Sequence, residues 1–402
     1  MTKRYVPLRC EYMIDPKAVL SGQVRRGVPV GAIVSIAISS VCLAGFLGLF
    51  LLVGGLVFIV AAILSVITLV PMVSGVLALD RLEPEPLHLL VTTFLWGAGA
   101  SVVLSLIFSS IGAAVFQIGF GESNEAVESV LLAPIIEEPA KALVLFGLFW
   151  FRRSEFNGVT DGVVYAAMSA LGFAAAENIG YYIIAASEGA SSLALVFVMR
   201  GILSPFCHPV FTAMTGIGLA VAVRQRNQAA RFFLPLGGLL LAMMLHAIWN
   251  GSATYGIGAL GIAFLIMIGV LVGILVAVRV DRKRTVGRMH ACMTQYIPTG
   301  LVTGADLTML STLKTRKQAR DWARFKCGKN GFDAMRDYQQ ACTELTILHD
   351  RAIDGMVPAP QFEAHRNALL ALMRLARDAF LGPGQLASPM MNPFVQASPR
   401  QV

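Results

Sequence analysis

Between Val28 and Leu79 the chain runs for 52 residues without a charged side chain. That is more than twice the roughly 20 apolar residues that a helix needs to cross a bilayer. The stretch therefore predicts two membrane-spanning helices joined by a tight turn near Gly54 and Gly55. Further apolar segments at roughly 88–119, 126–151, 161–186, 192–223, 232–253 and 256–279 bring the expected number of spans to about eight. In hydrocarbon every backbone polar group must be satisfied within the segment. No alternating apolar pattern of a barrel is present, so the expected fold is all-α, a polytopic transmembrane helical bundle. The 402-residue chain is 56% hydrophobic and only 14% charged, which fits that class and excludes an ordinary soluble domain. Its start has no cleavable signal pattern, so the first apolar segment is expected to remain as an anchor.

The charges are unevenly distributed. Residues 281–402 hold 17 of the 32 Lys and Arg but 10 of the 24 Asp and Glu, a local net charge of +7. The organisation this suggests is an N-terminal segment 1–27, a membrane domain 28–280, a basic helical tail 281–381, and a disordered C-terminus 382–402 rich in Pro, Gly, Ser and Asn. In the tail, Leu369, Leu370, Leu372, Met373 and Leu375 give a partly amphipathic helix. It reads either as a docking or regulatory domain or as a basic tail beside anionic headgroups. Among the short connections, one side receives Lys3, Arg4, Arg9, Lys17, Arg25, Arg26, Arg81, Arg152, Arg153, Arg224, Arg226, Arg231, Arg279, Arg282, Lys283 and Arg284, and the other none. By the positive-inside rule both termini are expected to be cytoplasmic, in a bacterial inner membrane. Six cysteines include no C-x-x-C pair, so a disulfide framework is not expected. No nucleic-acid motif is present, and the expected partners are the lipid bilayer and a membrane-protein substrate.

Ionisable groups inside a bilayer are costly and usually mark a site. Here they are Glu137, Glu138 and Lys141 in the fourth span, Glu177 in the fifth, Arg200 and His208 in the sixth and His246 in the seventh. Counted from the non-cytoplasmic ends, Glu137, Glu177, His208 and His246 lie at depths that agree within roughly 14 Å at the helical rise, which allows one polar cavity. Lys141 follows the two glutamates at i+4 and i+3, so it is expected to pair with one carboxylate and leave the other free. Pro139 and Pro205 are expected to bend or break their helices. His246 and Asn250 share a face, so Asn250 is expected to orient the ring. Arg200 is expected to be structural, a counter-ion to Glu177 or an interfacial anchor. The small-residue run Ala166–Ala176 reads as close helix packing. Taken singly, each histidine or acid–base pair is more often a structural contact; two adjacent carboxylates, a third and two histidines at similar depth are hard to explain as packing. Such a set activates water either through Zn²⁺ held by three ligands with a position left open, or directly through a glutamate base. For the metal version His208, His246 and one of Glu138 or Glu177 are available as ligands.

The order Glu137-Glu138-x-x-Lys141, Phe173-x-x-x-Glu177-Asn178-x-x-Tyr181, Arg200, Pro205-x-x-His208 with Phe211-Thr212, and His246-x-x-Trp249-Asn250 resembles the PrsW family of bacterial intramembrane proteases, as does Arg81-x-Glu83-Pro84-Glu85-Pro86. The resemblance covers roughly residues 80–255. It implies a metallopeptidase-like membrane endopeptidase that cuts a single-pass substrate within or beside its membrane helix, an anti-sigma factor in the type member. The chain is also similar to CAAX prenyl endopeptidases, but Glu177 stands where those proteins have a histidine, which favours PrsW. On this basis Glu138 is assigned as general base, Glu137 as its partner held by Lys141, Glu177, His208 and His246 as water or metal ligands, and Asn250 as orienter or oxyanion donor; the two glutamates can exchange roles. The competing class is a proton-coupled transporter using the same carboxylates as a relay; a third reading is a non-catalytic scaffold. No H-E-x-x-H, G-x-G-D or G-x-S-G motif is found.

Overall fold

The structure is a computed structural model and describes residues 30–381 apart from 83, 121–124 and 356. The expected N-terminal segment, the C-terminal disorder and Glu83 lie outside these residues. Every regular element described is helical, with no strand. The membrane unit contains α1 (Val30–Gly54), α2 (Leu56–Leu79), α3 (Leu87–Leu95 and Val102–Phe120, joined by a π-helical turn at Trp96–Ser101), α4 (Glu125–Val127 and Ala133–Phe151, joined by a π-helical turn at Glu128–Leu132) and α5 (Val159–Glu188). It continues with α6 (Ala190–Val196, running into a π-helical turn at Phe197–Leu203), α7 (Cys207–Val223), α8 (Gln228–Thr254) and α9 (Ile257–Thr294). Gly55, with φ 53°, makes the turn between α1 and α2 where the sequence placed it.

Among the described residues, seven helical spans are long and apolar enough to cross a membrane; α6 and α7 together form one of them. The eighth expected span, α4, is a helix of matching length but carries Glu137, Glu138 and Lys141 in its middle. Its composition, not its length, sets it apart, and these are the charges that build the site. Pro139 lies inside α4 without breaking it, whereas α6 ends at Ser204, Pro205 follows, and α7 starts at Cys207.

α5 is the inner helix of the bundle, with 83% of its apolar window buried. Its small residues permit this. A Cβ on Gly172 would strike the carbonyl oxygen of Phe94, and one on Gly97 would strike that of Ser169. Gly162 and Gly216 are reciprocal: a Cβ on either would meet the carbonyl oxygen of the other. In a bilayer, where water does not drive helices together, such close approach supplies the packing energy. The run Ala166–Ala176 is therefore a packing surface. At one end of this helix Tyr165 donates to Glu85, whose backbone N–H donates to Asp80 Oδ2 at 2.8 Å, and Asp281 accepts from the backbone and hydroxyl of Thr160 at 2.9 Å. These contacts tie α2, α3 and α9 to α5.

The second unit begins at Arg282. It comprises the end of α9 together with α10 (Gly304–Leu310), α11 (Leu313–Ile353) and α12 (Ala359–Leu381). α11 is interrupted at Cys327 and at Gly328, whose φ is 59°. These helices enclose a core of their own that includes Met289, Met293, Leu310, Met335, Tyr338, Leu345, Leu369 and Met373. In that core Arg377 donates to Asp306 at 2.7 Å and to the Leu301 carbonyl at 3.0 Å. Burial disfavours the Arg377 charge, but Asp306 and Tyr338 outweigh it and hold the guanidinium above its ordinary value. The tail is thus folded around a packed interior. Among the described residues, Cys42, Cys207, Cys292 and Cys342 are free.

Gly216→Val should force α5 and α7 apart. The expected cost is about 1–3 kcal/mol or more, read as a lower midpoint in detergent unfolding; Gly237→Val, where a Cβ meets nothing within 4 Å, should change the midpoint far less.

Candidate active site

Two buried oxygens beside one buried ammonium organise the site. Lys141, on α4, donates to Glu138 Oε1 at 2.8 Å and to Glu137 Oε2 at 3.3 Å. It therefore bridges both carboxylates, in place of the expected pairing with one. The side chains of Lys141 and Glu138 have no exposure and that of Glu137 keeps 12%. The ammonium also lies 4.1 Å from the centroid of the Phe173 ring, and Ser169 fixes the backbone of Lys141 by donating to its carbonyl at 2.9 Å. Trp96 donates to the next carbonyl back, Ala140, at 2.9 Å. α4 is thus held by α3 and α5 at the point where it carries its charges.

Glu138 is fully committed. Besides Lys141, its Oε1 lies 3.0 Å from His246 Nδ1, and its Oε2 accepts from the Thr212 hydroxyl at 2.9 Å. With Nδ1 facing a carboxylate, the His246 proton belongs on that nitrogen, and Nε2, 3.9 Å from Glu137 Oε2, is left with its lone pair. His208 is arranged in the opposite sense. Its Nδ1 is 3.2 Å from Lys141 Nζ, a group that can only donate, so the ring proton sits on Nε2, which faces Glu177 Oε2 at 3.1 Å. The two rings meet edge to face at 5.3 Å, and Phe211 stacks on His246 at 4.9 Å with an interplanar angle of 17°.

Glu177 is also ion-paired with Arg200, which donates through Nε to Asn178 at 2.8 Å and lies over the Tyr181 ring at 3.8 Å. Arg200 stands in a π-helical turn that closes with Ser204 donating its backbone N–H to Met199 O at 3.0 Å, a local widening that recurs at functional helices. Arg200 is thus the counter-ion to Glu177. Beside it a cavity of about 30 Å³, with Ser65, Thr68, Asn178, Arg200, Ser204 and His208 among the residues of its wall, is large enough for a water or two.

The seven residues singled out from the sequence are distributed as follows. Glu137, His208 and His246 each present one ligand atom, all within 4.8 Å of one another. Lys141 and Glu138 lie against this group, and Glu177 reaches it through His208. Asn250 stands apart: its amide donates to the carbonyl of Ser129 at 2.8 Å, in the π-helical turn of α4, and it is Glu138 that holds His246 Nδ1. Thr212, Phe211 and Phe173 were given no role from the sequence. Their spacing did carry a signal, since Phe211 and Thr212 follow His208 at i+3 and i+4 and Phe173 precedes Glu177 by four, which places each on its partner's helical face.

The family profile described as PrsW family intramembrane metalloprotease matches residues 85–278, the stretch that carries all of these groups. A protease PrsW of Geobacillus kaustophilus is 31% identical over 174 residues, which span 42% of this chain and 69% of that protein. The chain belongs to the PrsW family. A protease PrsW of Clostridioides difficile is 27% identical over 190 residues, 46% of this chain and 77% of the relative, and one of Bacillus subtilis is 27% identical over 171 residues, 42% and 72%. No solved structure matches the chain. With these bacterial relatives and its apolar helices, it is a bacterial membrane protein, and its PrsW relatives support a peptidase. The matched region ends before the second unit.

Lys141→Met should leave two adjacent buried carboxylates without their shared cation. The expected loss is about 3–5 kcal/mol of folding stability, visible as reduced accumulation and a lowered detergent-unfolding midpoint, with Glu138→Gln in the same background restoring part of it.

Proposed function

We propose that this chain is an intramembrane endopeptidase that hydrolyses a peptide bond of a single-pass membrane protein with water activated at Glu137. The observation that carries the proposal is the convergence of Glu137, His208 and His246 within 4.8 Å, with each imidazole anchored through its other nitrogen to a carboxylate. The two glutamates have different parts in this reading. Glu138 is wholly buried, with both oxygens engaged, and positions His246. Glu137 keeps some exposure, so water can reach it. It takes the proton from water as the hydroxyl oxygen attacks the scissile carbonyl, and returns it to the departing amine. Lys141, hydrogen-bonded to both carboxylates, compensates their charge.

The donor set fits a zinc ion. Two imidazoles and one carboxylate are a common catalytic zinc set, and a carboxylate behind each histidine is the outer contact that fixes ring tautomer and orientation in such sites. As the alternative to the direct glutamate mechanism, Glu137, His208 and His246 would hold the ion, Glu137 then serving as a ligand in place of taking the proton from water and His208 Nδ1 giving up its contact with Lys141; Glu177 and Glu138 would stand behind the histidines. When bound, the ion would lower the pKa of a water and polarise the substrate carbonyl. The asymmetric placement of Lys and Arg supports both termini on the cytoplasmic side.

Two measurements test this. Membrane-protein N-termini compared in the native host between wild type and Glu137→Gln, expressed at equal levels, should lose specific termini in the mutant. With the substrate so named, cleavage by Glu137→Gln should fall by about 10²–10⁴-fold; termini that persist in full under several stress conditions would defeat the protease assignment. Separately, purified protein should contain about one equivalent of zinc that His246→Ala loses. Metal-free protein that still cleaves at the full rate after chelation would leave the glutamate to work without an ion.

A further inference from the structure

The first half of α11, from Leu313 to the interruption at Cys327, has two unlike faces. One is buried and carries Arg316, Ala319 and Ala323. The other is exposed: Lys314, Lys317, Arg324 and Phe325 fall within about 100° of one another at 3.6 residues per turn, with Asp321 as the one acidic residue among them. Phe325 is 90% exposed, more than any other large hydrophobic side chain among the described residues of the second unit. Lys326, also exposed, lies over the Trp322 ring at 5.5 Å and extends the basic area toward the end of this half of the helix.

We propose that this face is a docking surface for an anionic lipid bilayer, with Phe325 inserted among the acyl chains and Lys314, Lys317 and Arg324 on the headgroups. The charge selects the partner, because an exposed phenylalanine flanked by cations is the composition that binds the interface of acidic membranes. Chain continuity supplies the encounter. The second unit follows directly from α9, a membrane-spanning helix, so a bilayer surface is present at high effective concentration. This helix face lies outside the region matched to the PrsW family, and the inference is independent of the protease reading.

The test uses the full chain with photoreactive benzoylphenylalanine in place of Phe325, reconstituted in nanodiscs of phosphatidylcholine alone or enriched in phosphatidylglycerol. Illumination should give lipid adducts at position 325, about tenfold or more abundant in the phosphatidylglycerol discs and falling with added salt. The triple variant Lys314→Glu, Lys317→Glu, Arg324→Glu should reduce them to the phosphatidylcholine level while its unfolding midpoint stays that of the parent. Adducts absent from the phosphatidylglycerol discs, equal in both lipids or retained by the triple variant would overturn the proposal. So would adducts to a protein instead of lipid when the experiment is repeated in native membranes.

Discussion

The ammonium of Lys141, held between Glu137 and Glu138, is the interaction on which the membrane unit's chemistry depends. Two carboxylates one residue apart in a low-dielectric interior repel each other and pay a heavy desolvation cost, and neither can remain ionised there without a cation in contact. Lys141 serves both, at i+4 and i+3 on the same helix, which explains why the arrangement can be built from a single span. The remaining features of the site follow from it. The lysine donates to Nδ1 of His208 and so fixes that ring's proton on Nε2, toward Glu177, while Glu138 engages His246 and leaves that ring's Nε2 lone pair facing Glu137. One cation thereby sets the direction of two imidazoles.

The bundle around it is arranged to keep these groups fixed. α5 packs against its neighbours through glycines that allow backbone to touch backbone, and close-packed elements do not deform gradually. π-helical turns occur in α3, α4 and α6, and those in α4 and α6 lie beside the site. The first gives the Ser129 carbonyl to Asn250, and the second contains Arg200. Each accommodates an extra residue in a turn and so redirects one polar group, within the helix in α4 and at its end in α6. The cavity by His208, with several polar groups in its wall, has room for water within an otherwise apolar setting, which hydrolysis inside a membrane requires.

The second unit combines a net positive charge with an ordered interior. The apolar positions of α10, α11 and α12 and the end of α9 form one core. Its buried arginines find partners within that interior: Arg377 in Asp306 and the Leu301 carbonyl, Arg316 in the Leu310 carbonyl and Thr343. Amphipathicity was legible in residues 369–375, but the matching surfaces lie up to about eighty positions away in sequence, and no local pattern identifies them.

The sequence by itself determined the helical membrane class and the turn at Gly55, and it named the groups of the candidate site, because charge in an apolar run and spacing along one helix are local quantities governed by solvation and the 3.6-residue period. It also placed Glu137, Glu177, His208 and His246 at comparable depth, since helical rise is fixed. Only the tertiary structure decided who pairs with whom. That Lys141 bridges both glutamates, that Glu138 instead of Asn250 holds His246, and that Thr212 completes Glu138 depend on the rotation of α4, α5, α7 and α8 about their axes. That rotation is set by the glycine contacts and π-helical turns of the packed bundle, and helices far apart in sequence meet only there.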